Sequence, residues 1–579
     1  MPRTLPKLLP LLALAATPVA ARAQMADPWA VLVRPRTHAP RPTVAAITPG
    51  DLMTRLYQFS DDSMKGRLIA TPGNAKGVEY IASELRRLGL QPAGDNGTFF
   101  QDIHMIERVA DEAAPFGVNG TRFQLWTDYV PRDNGPGTRS LDGVQVVYAG
   151  TMADSTHLID TTQTAGKLVI VGMGPGFTGN PPGTANRPAL TRRYRNAAGI
   201  AFVGLDAIEP ASMALYREPL QMMQGTDGPS LPAYMYVTKR VAAALLGADP
   251  DGLRPGAAGG TVTGSPRFAD RAPAVPARNV VAILRGSDPA LSREYVAMGA
   301  HNDHIGTTDP PVASDSLYVV NHLFRLEGAD DAEPQLTPEQ QAQVNSILAQ
   351  VRHRPGEVAA RPDSVYNGAD DDGSGSMGLL EIAQYFASQP RPRRSILFVW
   401  HVGEEEGLFG STYFTDHPTV PRESIVAQLN MDMIGRGAAT DVTGTDINGN
   451  KLHGGPGYLQ LVGSRRLSTE LGDLAEAVNR SGNHGLRFDY AMDANGHPQV
   501  IYCRSDHYEY ARYGIPIIFF TTGGHADYHQ VTDEPQYIDY DHYAQIVSYV
   551  ADLATHVANL DHRPVVDHPK PDPHGRCVQ

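Results

Sequence analysis

Apolar side chains recur with two different rhythms along this chain. Within 75–88, Val78, Ile81, Leu85 and Leu88 fall on one face of an amphipathic helix, and Gly89 stands where a left-handed helix stop is wanted. An extended run follows at about 99–106. From about 119 to 272 the texture changes. Compact apolar runs at 144–148, 167–171 and 200–203 alternate with loops such as Gly174-Pro175-Gly176 and Gly179-Asn180-Pro181-Pro182. This predicts a small β-rich or α+β module inserted into a larger domain. The α/β texture resumes with β-rich runs at 279–284 and 295–299. A second insertion lies between His301 and Asp371, where Thr337-Pro338-Glu339-Gln340 supplies an N-cap, Pro at N1 and Gln at N3 for a helix ending near Val351. From 370 to 560 elements alternate: a helix at 374–387 and strands at 395–400, 427–431 and 515–521. The tail after Val566 is rich in Pro and His and is predicted to be disordered.

Composition narrows the class. A chain of 579 residues is long enough for roughly three or four units. Hydrophobic residues at 41% and a mean hydropathy of −0.28 describe a globular protein rather than a membrane or disordered one. The net charge of −14 argues against nucleic acid as a partner, because phosphate binding needs clustered Lys and Arg. Only Cys503 and Cys577 are present, which excludes a disulfide-rich scaffold and an all-cysteine metal site; whether the two pair depends on their geometry. At the N-terminus, Arg3 and Lys7 precede an apolar stretch at 8–16 and the small-x-small triplet Ala21-Arg22-Ala23. The pattern of 1–23 predicts a cleaved signal peptide and export to the periplasm or beyond. No later stretch approaches the roughly 18 apolar residues of a membrane span.

The chemistry is concentrated where apolar runs stop. Five segments carry it: Ala300-His301-Asn302-Asp303-His304; Gly368-Ala369-Asp370-Asp371-Asp372-Gly373-Ser374-Gly375; Gly403-Glu404-Glu405-Glu406-Gly407; Asn430-Met431-Asp432-Met433; and Asp527-Tyr528-His529. Taken singly each is ordinary, since acid runs are usually solvated turns and a strand-end His is usually a surface residue. Asp432, between two methionines, is harder to dismiss, because an unpaired buried charge is costly. Together, two or more His and several carboxylates at one edge of a sheet suit a pair of divalent metal ions. Zinc accepts such ligands and keeps positions open for water.

In their order these motifs resemble the co-catalytic zinc aminopeptidase family, which includes bacterial leucyl aminopeptidases and glutamate carboxypeptidase II. The resemblance covers about 48–118 and 273–560. It implies an α/β fold with a mixed, mainly parallel sheet between helices. The insert at 119–272 is similar in texture to the protease-associated (PA) domain of many members. Two Zn²⁺ per chain are implied: His301 and Asp432 on one, Glu405 and His529 on the other, and Asp371 bridging. The resemblance further implies Glu404 as general base, Asp303 as the group orienting His301, and Tyr502 as a hydroxyl for the developing oxyanion; a core strand tyrosine is the other reading of Tyr502. Peptides are the implied substrates, with an aminopeptidase ahead of a carboxypeptidase or another amidohydrolase. A carboxypeptidase should show an arginine cluster, and only Arg436 and Arg504 flank the motifs. A non-catalytic binding protein is the remaining reading. Two departures stand out. The segment at 307–366 is longer than the family's loop, which suggests a lid or rim. Glu406 replaces a small apolar residue and leaves open a register with Glu405 as base and Glu406 as ligand.

Overall fold

The computed structural model describes residues 28–132, 137–173, 192–208, 230–331, 334–351 and 362–579, together with 190, 213, 216–217 and 219–224. The expected signal peptide lies outside these residues.

The main sheet has nine strands. From one edge they run Gln91–Pro92, Ala277–Leu284, Ser395–His401, Tyr295–His301, Ile425–Met431, Ile517–Thr521, Tyr458–Val462 and Arg487–Asp489, and Phe100–Ile103 also pairs with Ala277–Leu284. The four strands in the middle, from Ser395–His401 to Ile517–Thr521, are mutually parallel, so their C-terminal ends share one edge. All four are buried along their whole length. A parallel strand covered on both faces reads as a continuous apolar run, as these do.

Alternation then divides the core. Val296, Met298, Ala300, Phe398 and Trp400 face one cluster, which is completed by Leu56, Leu85, Leu380, Leu471 and Val547 from the helices Pro49–Phe59, Pro72–Leu88, Gly375–Ser388, Thr469–Ser481 and Tyr540–Asn559. Their neighbours Ala297, Leu397 and Val399 face a second cluster with Phe414 and Tyr510. Burying each large aliphatic side chain in these layers contributes about 1.5–3 kcal/mol. The sheet is therefore mixed, mainly parallel and enclosed by helices, as expected.

Local signals explain the helix ends. The helix expected from 75 begins three residues earlier, at Pro72, because Thr71 caps it by accepting from the Asn74 N–H and Pro72 is suited to the first turn. Gly89 closes it at φ 73.

A second, eight-stranded sheet is built from strands lying between Phe116 and Gly264 and has its own buried clusters. The segment after His301 opens with Thr307–Ala313, which pairs antiparallel with Pro362–Val365 and so closes the insertion at its base. Between them the helices Ser314–Phe324 and Pro338–Val351 pack through Val319, Val320, Val344 and Leu348.

The tail corrects an expectation. Residues 561–579 are held in place rather than disordered. Cys577 is disulfide-bonded to Cys503 with Cα atoms 5.9 Å apart. The Gln579 side chain donates to the carbonyls of Met492 and Ala494 and accepts from the Tyr502 N–H. Composition predicted a loose end; a covalent tie and a buried carboxamide override it.

Candidate metal centre

Each of the central strands delivers chemistry just past its last residue. His301 ends its own strand. Glu404 and Glu405 follow Ser395–His401, Asp432 follows Ile425–Met431, and the loop after Ile517–Thr521 brings in His529. Asp371 comes from the turn that leads into the helix Gly375–Ser388. That turn is crowded. Gly368 has φ 52, and a Cβ there would lie 2.6 Å from the His304 ring. At Gly375 a Cβ would meet the Asp372 carboxylate at 2.3 Å. Side chains at either position would displace the acids.

Asp371 lies between two groups of donors. On one side, His301 Nε2 is 3.2 Å from Asp371 Oδ1 and 3.9 Å from Asp432 Oδ1. On the other, His529 Nε2 is 3.1 Å from Asp371 Oδ2 and 3.0 Å from Glu405 Oε2. The His529 nitrogen makes no hydrogen bond despite these approaches. A ring nitrogen set between two carboxylate oxygens is an arrangement that a divalent cation fits.

The remaining acids are pinned. Asp372 accepts from the backbone N–H groups of His301 (3.0 Å), Gly375 (2.8 Å) and Met433 (3.2 Å), so it fixes the strand ends against one another. Ser505 donates to Asp432 at 2.6 Å. Asp303 Oδ1 is 3.6 Å from His301 Nδ1, beyond hydrogen-bond length, and accepts from the Glu404 N–H at 3.3 Å.

Electrostatics here are unfavourable without a counter-charge. Burial, with repulsion from Asp432 and Glu405, pushes the Glu404 carboxyl well above its ordinary range against the attraction of His301. Burial, with Asp371 nearby, pushes Asp432 up to about 7. Burial would raise Asp371 too, but His301 and His529 hold it well below the carboxylate range. Two divalent cations at this donor set would relieve the crowding.

The five ligands expected from the motifs thus converge, with Glu404 lining the adjoining cleft. Glu405, not Glu406, is the glutamate that meets the histidines, and Glu406 is exposed. Two residues join that the motifs did not single out. His304 is fully buried, with Nδ1 2.6 Å from Glu405 Oε1, and Asp372 lies within the His301–Asp432 group. His304 had a signal, since it closes the same short motif as His301. Tyr502 stands elsewhere. Its ring is buried in the core against Arg466, His507 and Tyr508, and it does not line the cleft. The cleft tyrosine is Tyr528, stacked on His529 at 3.9 Å between ring centroids and sharing the wall with Glu404, Asp371 and Asp432. Met433, Val442, Met492, Ile501 and Phe519 add apolar surface to that wall beside the polar Glu327, Thr443, Gln460, Gln499 and Ser505. Arg436 is spent in buried ion pairs with Asp527 and Asp533, which leaves Arg504 as the one arginine lining the cleft among the described residues.

Residues 351–554 match the model of peptidase family M28. That segment is similar to the M28 peptidase family, as the motifs implied. It contains Asp371, Glu404, Glu405, Asp432 and His529. Over 101 residues the chain is 35% identical to a probable leucine aminopeptidase of Trichophyton verrucosum, covering 17% of this chain and 28% of that one. Over 143 residues it is 36% identical to an aminopeptidase of Pseudomonas aeruginosa, covering 21% and 26%. The chain therefore spans about a quarter of the length of these relatives. Among solved structures it is similar to a zinc aminopeptidase from Bacillus subtilis, at 14% identity over 91% of this chain and 99% of that one, with a TM-score of 0.46.

Proposed function

We propose that the protein is an exported zinc-dependent exopeptidase, an aminopeptidase, holding two Zn²⁺ per chain. The observation that carries the reading is the position of Asp371 between the His301–Asp432 and Glu405–His529 groups, beside a cleft lined by Glu404. The aminopeptidase names of the relatives support it.

Zinc at such a site would polarise the scissile carbonyl and lower the pKa of a bound water. The rest falls to the chain itself. Glu404, in the cleft and outside the hydrogen bonds that occupy Glu405, takes the proton from water and returns it to the leaving amine. Asp372 and Ser505 hold His301 and Asp432 in place. Asp303 fixes the backbone of Glu404 and faces the far nitrogen of His301. Tyr528, rather than Tyr502, supplies the hydroxyl facing the developing oxyanion. A free α-amine suits the carboxylate-rich wall. A peptide carboxylate would find a single arginine, Arg504, which favours the amino end.

The disulfide between Cys503 and Cys577 supports an oxidising compartment. We read the sheet built from strands between Phe116 and Gly264 as the PA-type insert expected at 119–272.

The test is hydrolysis of a panel of aminoacyl and N-blocked dipeptide substrates before and after chelation and zinc restoration. Zinc-dependent release from free-amine substrates alone is expected. Cleavage of the blocked peptides alone would contradict the aminopeptidase reading.

A further inference from the structure

The insertion at 307–366 reaches the metal centre from behind. His322, near the end of the helix Ser314–Phe324, donates through Nε2 to Asp527 Oδ2 at 3.0 Å. Its neighbour Asn321 donates to Asp527 Oδ1 at 3.3 Å and to Thr532 Oγ1 at 3.1 Å. Arg325, one residue beyond the helix, donates to the Ala526 carbonyl. Three side chains from the end of this helix therefore grip both ends of the loop 526–532, and His529 sits in the middle of that loop.

The loop needs holding. His529 has φ 56, a left-handed conformation that a residue with a Cβ keeps only where its surroundings impose it. The grip is rigid on the insertion side as well. The Tyr318 ring packs on His322 at 4.0 Å between centroids, and the helix is braced by Val344 and Leu348 of its partner. From the core side, Arg436 donates to the same Asp527 oxygen at 3.1 Å. These contacts join residues about two hundred positions apart in the chain.

We propose that the insertion is a fixed buttress rather than a lid, and that His322, with Asn321 and Arg325, positions His529 for metal binding. His322 is a positioning residue: it acts on the metal through Asp527 and the loop. Outer partners of this kind typically set metal affinity by 10–100-fold. The inference rests on the zinc reading above and goes beyond it by assigning a role to the insertion.

The experiment uses the full chain loaded with zinc, with affinity read by competition against a chelating dye and geometry by the visible absorption of the cobalt-substituted protein. Wild type should bind two ions. His322→Ala should weaken one of the two by 10–100-fold and alter the cobalt spectrum. His322→Gln, which can still donate to Asp527, should stay within about threefold of wild type. Leu245→Ala, which opens a cavity in the core of the second sheet, should lower thermal stability and leave both affinities unchanged. His322→Ala with two wild-type affinities would overturn the proposal, and so would Leu245→Ala weakening zinc as much as His322→Ala. Wild-type protein that binds no zinc would overturn the zinc reading itself, a result distinct from either.

Discussion

Two parts of this molecule use the same buried parallel strand and do different things with its end. Leu168–Gly172 and Gly199–Val203 in the second sheet are parallel and almost wholly covered, much like Tyr295–His301 and Ile425–Met431 in the first. In the second sheet those strands run out into Met173 and Gly204. In the first they run out into His301 and Asp432. The acids differ in the same way. Around the second sheet Asp160 and Asp249 are exposed and held below their ordinary pKa by hydrogen bonds and by the neighbouring cations Arg193 and Lys239. At the cleft Glu404, Asp372 and Asp432 are pushed up by burial. A strand edge becomes a site when it collects charge that the fold alone would reject. Stability is given up there, and a bound cation restores it.

That contrast can be broken at several points. The largest effect should come from Glu404→Gln, which removes the base and leaves the ligands. We expect kcat to fall about 10³–10⁴-fold with metal content unchanged, measured by steady-state kinetics alongside elemental analysis. Next are the two tyrosines. Tyr528→Phe should lower kcat about 10²–10³-fold, whereas Tyr502→Phe should change it by no more than about twofold. The reverse order would return the oxyanion role to Tyr502.

A smaller effect separates buried acids from surface ones by pH. Burial, then Asp363, raises Glu534 to about 8, and burial raises Glu381 to about 7 against the pull of Arg55. Both folded values lie above the unfolded one. Their contribution to stability is therefore full below about pH 4.5 and is lost as pH rises through 7 and 8. Metal-free protein should melt at a lower temperature at pH 8.5 than at pH 5, and Glu534→Gln should flatten the slope in calorimetry. The smallest effect belongs to a three-stranded sheet outside both of these, where Phe268–Arg271 pairs with Met105–Ala110. Asp270 is exposed and paired with Arg108 at 2.6 Å, so Asp270→Asn should cost no more than about 1 kcal/mol in denaturant titration and leave turnover unchanged.

The residues proposed as ligands were legible as a group because most sit in short motifs at the ends of strongly apolar strands, where sequence neighbours remain spatial neighbours. Glu404, Glu405 and Asp432 have that property, and Asp371 sits in the turn that opens a buried helix. His304 was equally local, but nothing in the spacing told its ring from a surface one. Tyr502 and Tyr528 both lie beside motifs, and only burial separates them: one ring is turned into the core, the other lines the cleft. The grip of His322 on Asp527 joins residues far apart in the chain, a relation that periodicity does not carry. The tail was misread because its composition is that of a loose end, while Cys577 and Gln579 are each satisfied by a distant partner.

The central claim is that two cations share Asp371 while Glu404 stays free to move a proton. The most direct test is a crystal of zinc-loaded full-length protein with anomalous scattering measured at the zinc edge. The account predicts two peaks flanking Asp371, one at His301 and Asp432 and one at Glu405 and His529, with Glu404 liganding neither. A single peak, or a pair held by Glu404 and Glu406 in place of Glu405, would contradict it.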